Sequence, residues 1–101
     1  MSAIYELSPS AKEDLDEIFS YTIERFGIKQ ARKYITALDK CATRLAKGQI
    51  GRNFPDLDFD LPYTRCEHHY IFGIPQIDEP FYVVAIFHEK MDLLNQLADR
   101  L

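Results

Sequence analysis

The feature that most constrains this chain is the run FYVVAIF at positions 81–87, which passes directly into His88, Glu89, Lys90 and Asp92. Seven apolar residues are too few to cross a bilayer, and their aromatic and β-branched character is that of a buried strand. A rigid central strand that carries charged groups to the rim of a sheet is a platform for a functional surface.

At 101 residues the chain has the length of one domain with a single modest core. Its 47% hydrophobic and 28% charged residues are ordinary for a globular protein. The N-terminus carries neither the basic region nor the apolar run of a signal peptide, and no segment has the length of a membrane helix. The expected location is the cytoplasm. Cys41 and Cys66 fall in a helical and a strand pattern, and in that compartment they are expected to be buried free thiols. A net charge of −4 and a pI near 5.3 argue against a protein whose main work is gripping phosphate backbones, and for a protein target.

Two helices stand out. Residues 3–7 read as a short strand, and Ser8-Pro9 or a Ser10–Glu13 capping box then starts a helix. Ala11, Leu15, Ile18, Phe19, Thr22 and Phe26 recur at helical spacing, with Glu13, Asp14, Asp16 and Glu17 opposite. Gly27 stops this helix. A second stripe follows at once in Ala31, Tyr34, Ile35, Leu38, Ala42 and Leu45, and Gly48 ends it. Helices over 9–26 and 28–47 with almost no connection must fold back as an antiparallel hairpin. Leu15, Ile18, Leu38 and Leu45 are expected to bury against a sheet containing Val84 and Ile86.

Residues 51–62, with Pro55 and three aspartates, read as a loop. Residues 63–74 are strand formers that place Cys66, Tyr70, Phe72 and Ile74 on one alternating face, and they form a hairpin with the 81–87 run. Asp92 caps a short C-terminal helix containing Leu93, Leu94, Leu97 and Leu101. The expected class is α+β, in the order β-α-α-β-β-β-α, with the helical hairpin packed on a mainly antiparallel sheet.

Candidate chemistry is sparse. Cys66, Glu67, His68 and His69 look like metal ligands, but neighbours along a strand point to opposite faces. Cys66 and His68 share a face without a third or fourth ligand at a known spacing. Asp56, Asp58 and Asp60 alternate as calcium ligands do, yet the glycine and closing glutamate of an EF-hand loop are missing. No nucleophile elbow or phosphate-binding loop is present. RNA cleavage through the 2′-hydroxyl needs a base, an acid and cations against the phosphorane charge. Arg65, His68 or His69, His88 and Lys90 would supply these if they converge on one sheet face; otherwise His88 packs at the strand end and Lys90 is solvated.

The order of short segments resembles the ParE toxins of the RelE/ParE toxin–antitoxin superfamily. It is carried by YELSPSA at 5–11 with Asp14, Leu15 and Ile18, by Gly51-Arg52, by Leu61-Pro62 leading into HYIF at 69–72, and by FHEKMD at 87–92. It spans residues 1–101 as a single ParE-like domain. Two departures concern target contacts. Lys90 stands where family members often carry arginine, which keeps the charge but loses bidentate recognition. The chain is also more acidic than the family tends to be.

The resemblance implies a non-catalytic toxin that inhibits DNA gyrase by protein–protein binding, without cofactor or metal. It also implies silencing by a cognate antitoxin in a hetero-oligomer, without membrane attachment or sequence-specific nucleic-acid binding. The expected target contacts are Arg52, His88, Lys90, Met91 and Asp92. The RelE branch of the superfamily instead cuts messenger RNA on the ribosome, and there Arg65, His88 and Lys90 are the catalytic counterparts; a further alternative is a diverged member with another target.

Overall fold

The computed structural model describes residues 4–101, so Ala3 of the expected first strand lies outside them. In chain order the elements are β1 (Tyr5–Leu7), α1 (Pro9–Phe26), α2 (Ile28–Ala46), β2 (Arg52–Asn53), β3 (Pro62–Cys66), β4 (His69–Ile74), β5 (Phe81–His88) and α3 (Leu93–Arg100). The strands form one sheet in the order β1-β5-β4-β3-β2, antiparallel except for the parallel pair β1 and β5. The α+β class and the helical hairpin stand as expected. One short strand, β2, is added where the sequence reads as loop.

Local chemistry sets the helix ends. Ser8 caps α1 by accepting the Ala11 N–H at 3.0 Å, with Pro9 in the first turn, so the alternative capping box is not used. Gly27, at φ 90°, ends α1 and begins α2 without a connecting loop. Asp92 caps α3 through the Asn95 N–H.

The sheet is covered on both faces. Toward the hairpin, Leu38, Leu45, Ile71, Val83 and Ile86 pack together, with Leu15 and Ile18 only partly covered. On the far face Leu61, Phe72, Val84, Ala85 and Phe87 meet Leu97 of α3. Val84 was expected beside Ile86 under the helices, and a bulge corrects this. Pairing runs Phe72 to Ala85 and then Gly73 to Val83, so one extra residue of β5 is accommodated and Val84 turns to the far face. Gly73 is required there, because a Cβ would stand 2.1 Å from the Phe81 ring.

Two further expectations are corrected. Residues 63–74 do not alternate as one run. They break at Glu67 and His68, with Glu67 at φ 57°, and Cys66 pairs directly with His69. Cys66 therefore shares its face with His69, whereas Tyr70 and Phe72 lie on the other. Nor are the cysteines free. Cys41 and Cys66 form a disulfide, because the inward stripe of α2 carries Cys41 over the end of β3 at a Cα–Cα distance of 6.2 Å, within bridging range.

Candidate functional site

The rim that β5 reaches is a cluster of histidines and charges. His69 and His88 are cross-strand neighbours whose rings meet edge to face at 5.1 Å. Tyr34 comes down from α2 onto this pair. Its hydroxyl accepts the His68 N–H at 3.1 Å and shares a 2.6 Å hydrogen bond with His69 Nδ1. Burial, reinforced by His88 and His68, lowers the His69 pKa to about 4. The same burial raises the Tyr34 pKa.

On the outer side of the rim, Glu89 accepts from His68 Nδ1 at 2.9 Å and pairs with the Arg65 guanidinium. The His68 bond, helped by the Arg65 charge, holds the Glu89 carboxyl below its ordinary range. His88 Nδ1 accepts the Lys90 N–H at 3.1 Å, and the His88 carbonyl accepts the Met91 N–H at 3.0 Å. This tight turn leaves the Lys90 and Met91 side chains exposed.

Beyond Val83, β1 no longer pairs with β5, and side chains cover the open edge. Asp14 of α1 accepts the Ile86 N–H at 3.0 Å, and Arg100 of α3 donates to the Val84 carbonyl at 3.0 Å. Arg100 also lies over the Phe87 ring, 4.9 Å from its centroid. Hydrogen bonding to Asp14 raises the Arg100 pKa further, fixing its charge.

A groove of about 800 Å³ opens beside this edge, between α1, the start of α2 and the rim. Its origin is a mismatch of lengths. Ser8 stands level with Val83 and Asp14 with Ile86, so helix and strand advance together. From that start α1 runs on for about 27 Å, while β5 has only about 17 Å left. The last turns of α1 overrun the sheet. Phe26, placed by its spacing in the buried stripe, is 68% exposed, and with Tyr21, 56% exposed, it lines the groove. Met91 and His88 line its other side.

The structure brings His88, Lys90, Met91 and Asp92 together at one end of the sheet. Arg52 lies apart on β2, three strands away from β5. Arg65 does not share a face with His88. Its pairing with Tyr70 puts it on the opposite side from the His69–His88 pair, and its guanidinium is bound to Glu89. Cys66 is committed to the disulfide, and no group of three His, Cys, Asp or Glu residues able to hold a metal occurs among the described residues. Nor is any helix among them long and apolar enough to cross a membrane.

Comparison with known proteins decides the family. The family model described as the ParE toxin of type II toxin–antitoxin systems, parDE, matches residues 5–93. The chain belongs to the ParE toxin family. Toxin ParE of Escherichia coli is 45% identical over 98 residues, covering 96% of this chain and 95% of that one. Toxin ParE1 of Caulobacter vibrioides is 30% identical, covering 93% and 97%. A solved structure titled as the chromosomal ParDE TA system from P. aeruginosa superposes with a TM-score of 0.68 at 14% identity. It covers 86% of this chain and 98% of that one, a likeness of fold. Among ParE sequence features, the Phe87–Asp92 segment marked the rim in advance. Tyr34 and the Asp14–Arg100 pair were missed, because their partners lie more than thirty residues away in sequence.

Proposed function

We propose that this toxin inhibits DNA gyrase by occupying a surface on it, without turnover or cofactor, in the cytoplasm. The observation that carries the non-catalytic reading is the separation of Arg65 from His88 across the sheet, with Arg65 held by Glu89. A ribosome-dependent nuclease needs its acid, base and cation around one phosphate. Here the turn after β5 instead presents Lys90 and Met91 outward beside Asp92, a compact protrusion suited to a protein contact. Arg52 contributes as a second, separate contact at the far edge of the sheet.

A cognate antitoxin neutralises the toxin by covering the helical hairpin and the sheet edge with a segment that orders on binding. Exposed Tyr21, Phe26 and Met91 give that segment apolar surface to bury in the groove. The test is a pair of assays on the purified toxin. Gyrase supercoiling should be inhibited, and relieved by the antitoxin, while messenger RNA on ribosomes stays intact. Cleavage in the ribosomal A site that is lost in His88→Ala or Lys90→Ala with folding unchanged would establish the nuclease reading instead.

A further inference from the structure

We propose that the Cys41–Cys66 bond is a reversible redox staple that fixes α2 to the β3–β4 turn, and with it one wall of the groove. Two anchors on one face of α2 hold the same end of the sheet. Cys41 is bonded to Cys66, and Tyr34, two helical turns earlier, is hydrogen-bonded to His68 and His69. Cys66 and His69 are direct cross-strand partners, so the covalent and the hydrogen-bonded anchor meet at adjacent points. Releasing one leaves the other to position Tyr34 alone.

The two sulfurs are not equivalent. Cys66 is 4% exposed inside the hairpin-side core, whereas Cys41 is only half-buried. An external thiolate therefore reaches Cys41 Sγ, forms a mixed disulfide there and expels Cys66 as the leaving thiolate, which takes up a proton. A second thiol, or the second sulfur of a dithiol, attacks the mixed disulfide and frees Cys41. The two electrons come from the attacking thiols, which end as a disulfide. Oxidised glutathione or a protein disulfide drives the reverse.

The reduced state has a place prepared. Cys66 Sγ lies 3.4 Å from the Ala37 carbonyl of α2, so the buried thiol that appears on reduction has an acceptor already in position. Opening the staple leaves no orphaned buried polar group, and the fold survives it. In a reducing cytoplasm the staple stands open, and it closes when the thiol pool is oxidised.

The staple is tested on the full chain equilibrated across glutathione redox ratios. Thiols counted in denaturant should pass from none to two in one reversible transition, with glutathione trapped on Cys41. The reduced protein should keep its helical circular dichroism and melt lower by about 8 °C or more. Cys41→Ser should melt like the reduced protein and ignore reductant, with Cys41→Ala as a second variant. Exchange of the His68 amide, which Tyr34 holds, should speed by about tenfold or more on reduction. Failure to form the bond at any ratio, global unfolding on reduction, or identical melting would overturn the staple, and unchanged His68 exchange would overturn its hold on the groove wall. That this wall belongs to a binding groove rests on the proposed function, but none of these readouts requires gyrase or antitoxin, so the two can fail separately.

Discussion

Asp14 on the first helix and Arg100 on the last grip each other with two hydrogen bonds, 2.7 and 2.9 Å long, across the open edge of the central strand. Each also satisfies a backbone group of that strand, Asp14 the Ile86 N–H and Arg100 the Val84 carbonyl. An unpaired strand edge is a template for unwanted pairing, and this clamp closes it with side chains. The pair is largely shielded, with side chains 14% and 21% exposed.

Breaking the clamp should therefore cost more than an ordinary surface ion pair. Asp14→Ala leaves both the Ile86 N–H and the Arg100 charge without their partner, and a loss of about 1–3 kcal/mol is expected. Arg100→Ala should cost a similar amount and loosen α3. Denaturant unfolding of both singles and the double variant checks this. A coupling energy near zero in the cycle would show that the two act independently.

His69 gives the fold a dependence on mild acid. Its pKa is lowered from 6.5 to about 4, so between those values the unfolded chain binds a proton that the folded one refuses. Stability is then full above about pH 6.5, falls as the pH drops toward 4, and stops falling from this cause below it. A total loss of about 1–3 kcal/mol is expected over that window. Melting temperatures from pH 4 to 7 should show the slope in the parent and a flatter one in His69→Gln. An equal slope in both would place the proton elsewhere.

Much of the fold is legible in the sequence, because the two helical stripes and the seven-residue apolar strand each state their period plainly. The misreadings occur where the chain changes period without its usual punctuation. The β3–β4 turn holds Glu67, not glycine, at positive φ, so nothing in residues 63–74 marks the reversal. The bulge at Val84 shifts the strand's phase inside an all-apolar run, where alternation carries no signal. The disulfide escaped for another reason, since a sequence reading of helix and strand does not say which part of one lies over which part of the other. At the rim, the charged residues after β5 were readable as a group. The separation of Arg52 and the turning away of Arg65 depend on strand order and register.

Leu38 and Gly73 probe the packing between hairpin and sheet. Leu38 is 2% exposed, and Leu38→Ala should cost about 2–4 kcal/mol through lost transfer energy and a cavity. Gly73→Ala should cost about 1–3 kcal/mol for the opposite reason, since the added methyl collides with the Phe81 ring. Equilibrium unfolding should rank both well above an exposed control such as Lys33→Ala.

Target variants separate an adhesive surface from a reacting one. Met91 is 44% exposed on the turn after β5, and Arg52 is exposed on the opposite edge strand, so neither truncation disturbs the core. In a protein–protein contact a few anchors dominate, and arginine is favoured among them, while methionine fits irregular partner surfaces. Met91→Ala or Arg52→Ala should each weaken gyrase inhibition by about tenfold or more. His88 is different, because its Nδ1 is already taken by the Lys90 N–H and its ring packs on His69. His88→Ala should weaken inhibition by only about threefold or less, through a looser turn, with no change in its pH dependence. Half-maximal inhibitory concentrations measured at pH 6, 7 and 8 decide between the cases. A loss of several orders of magnitude in His88→Ala, with a pH profile that disappears along with it, would mean that the imidazole takes part in chemistry and that the toxin is an enzyme.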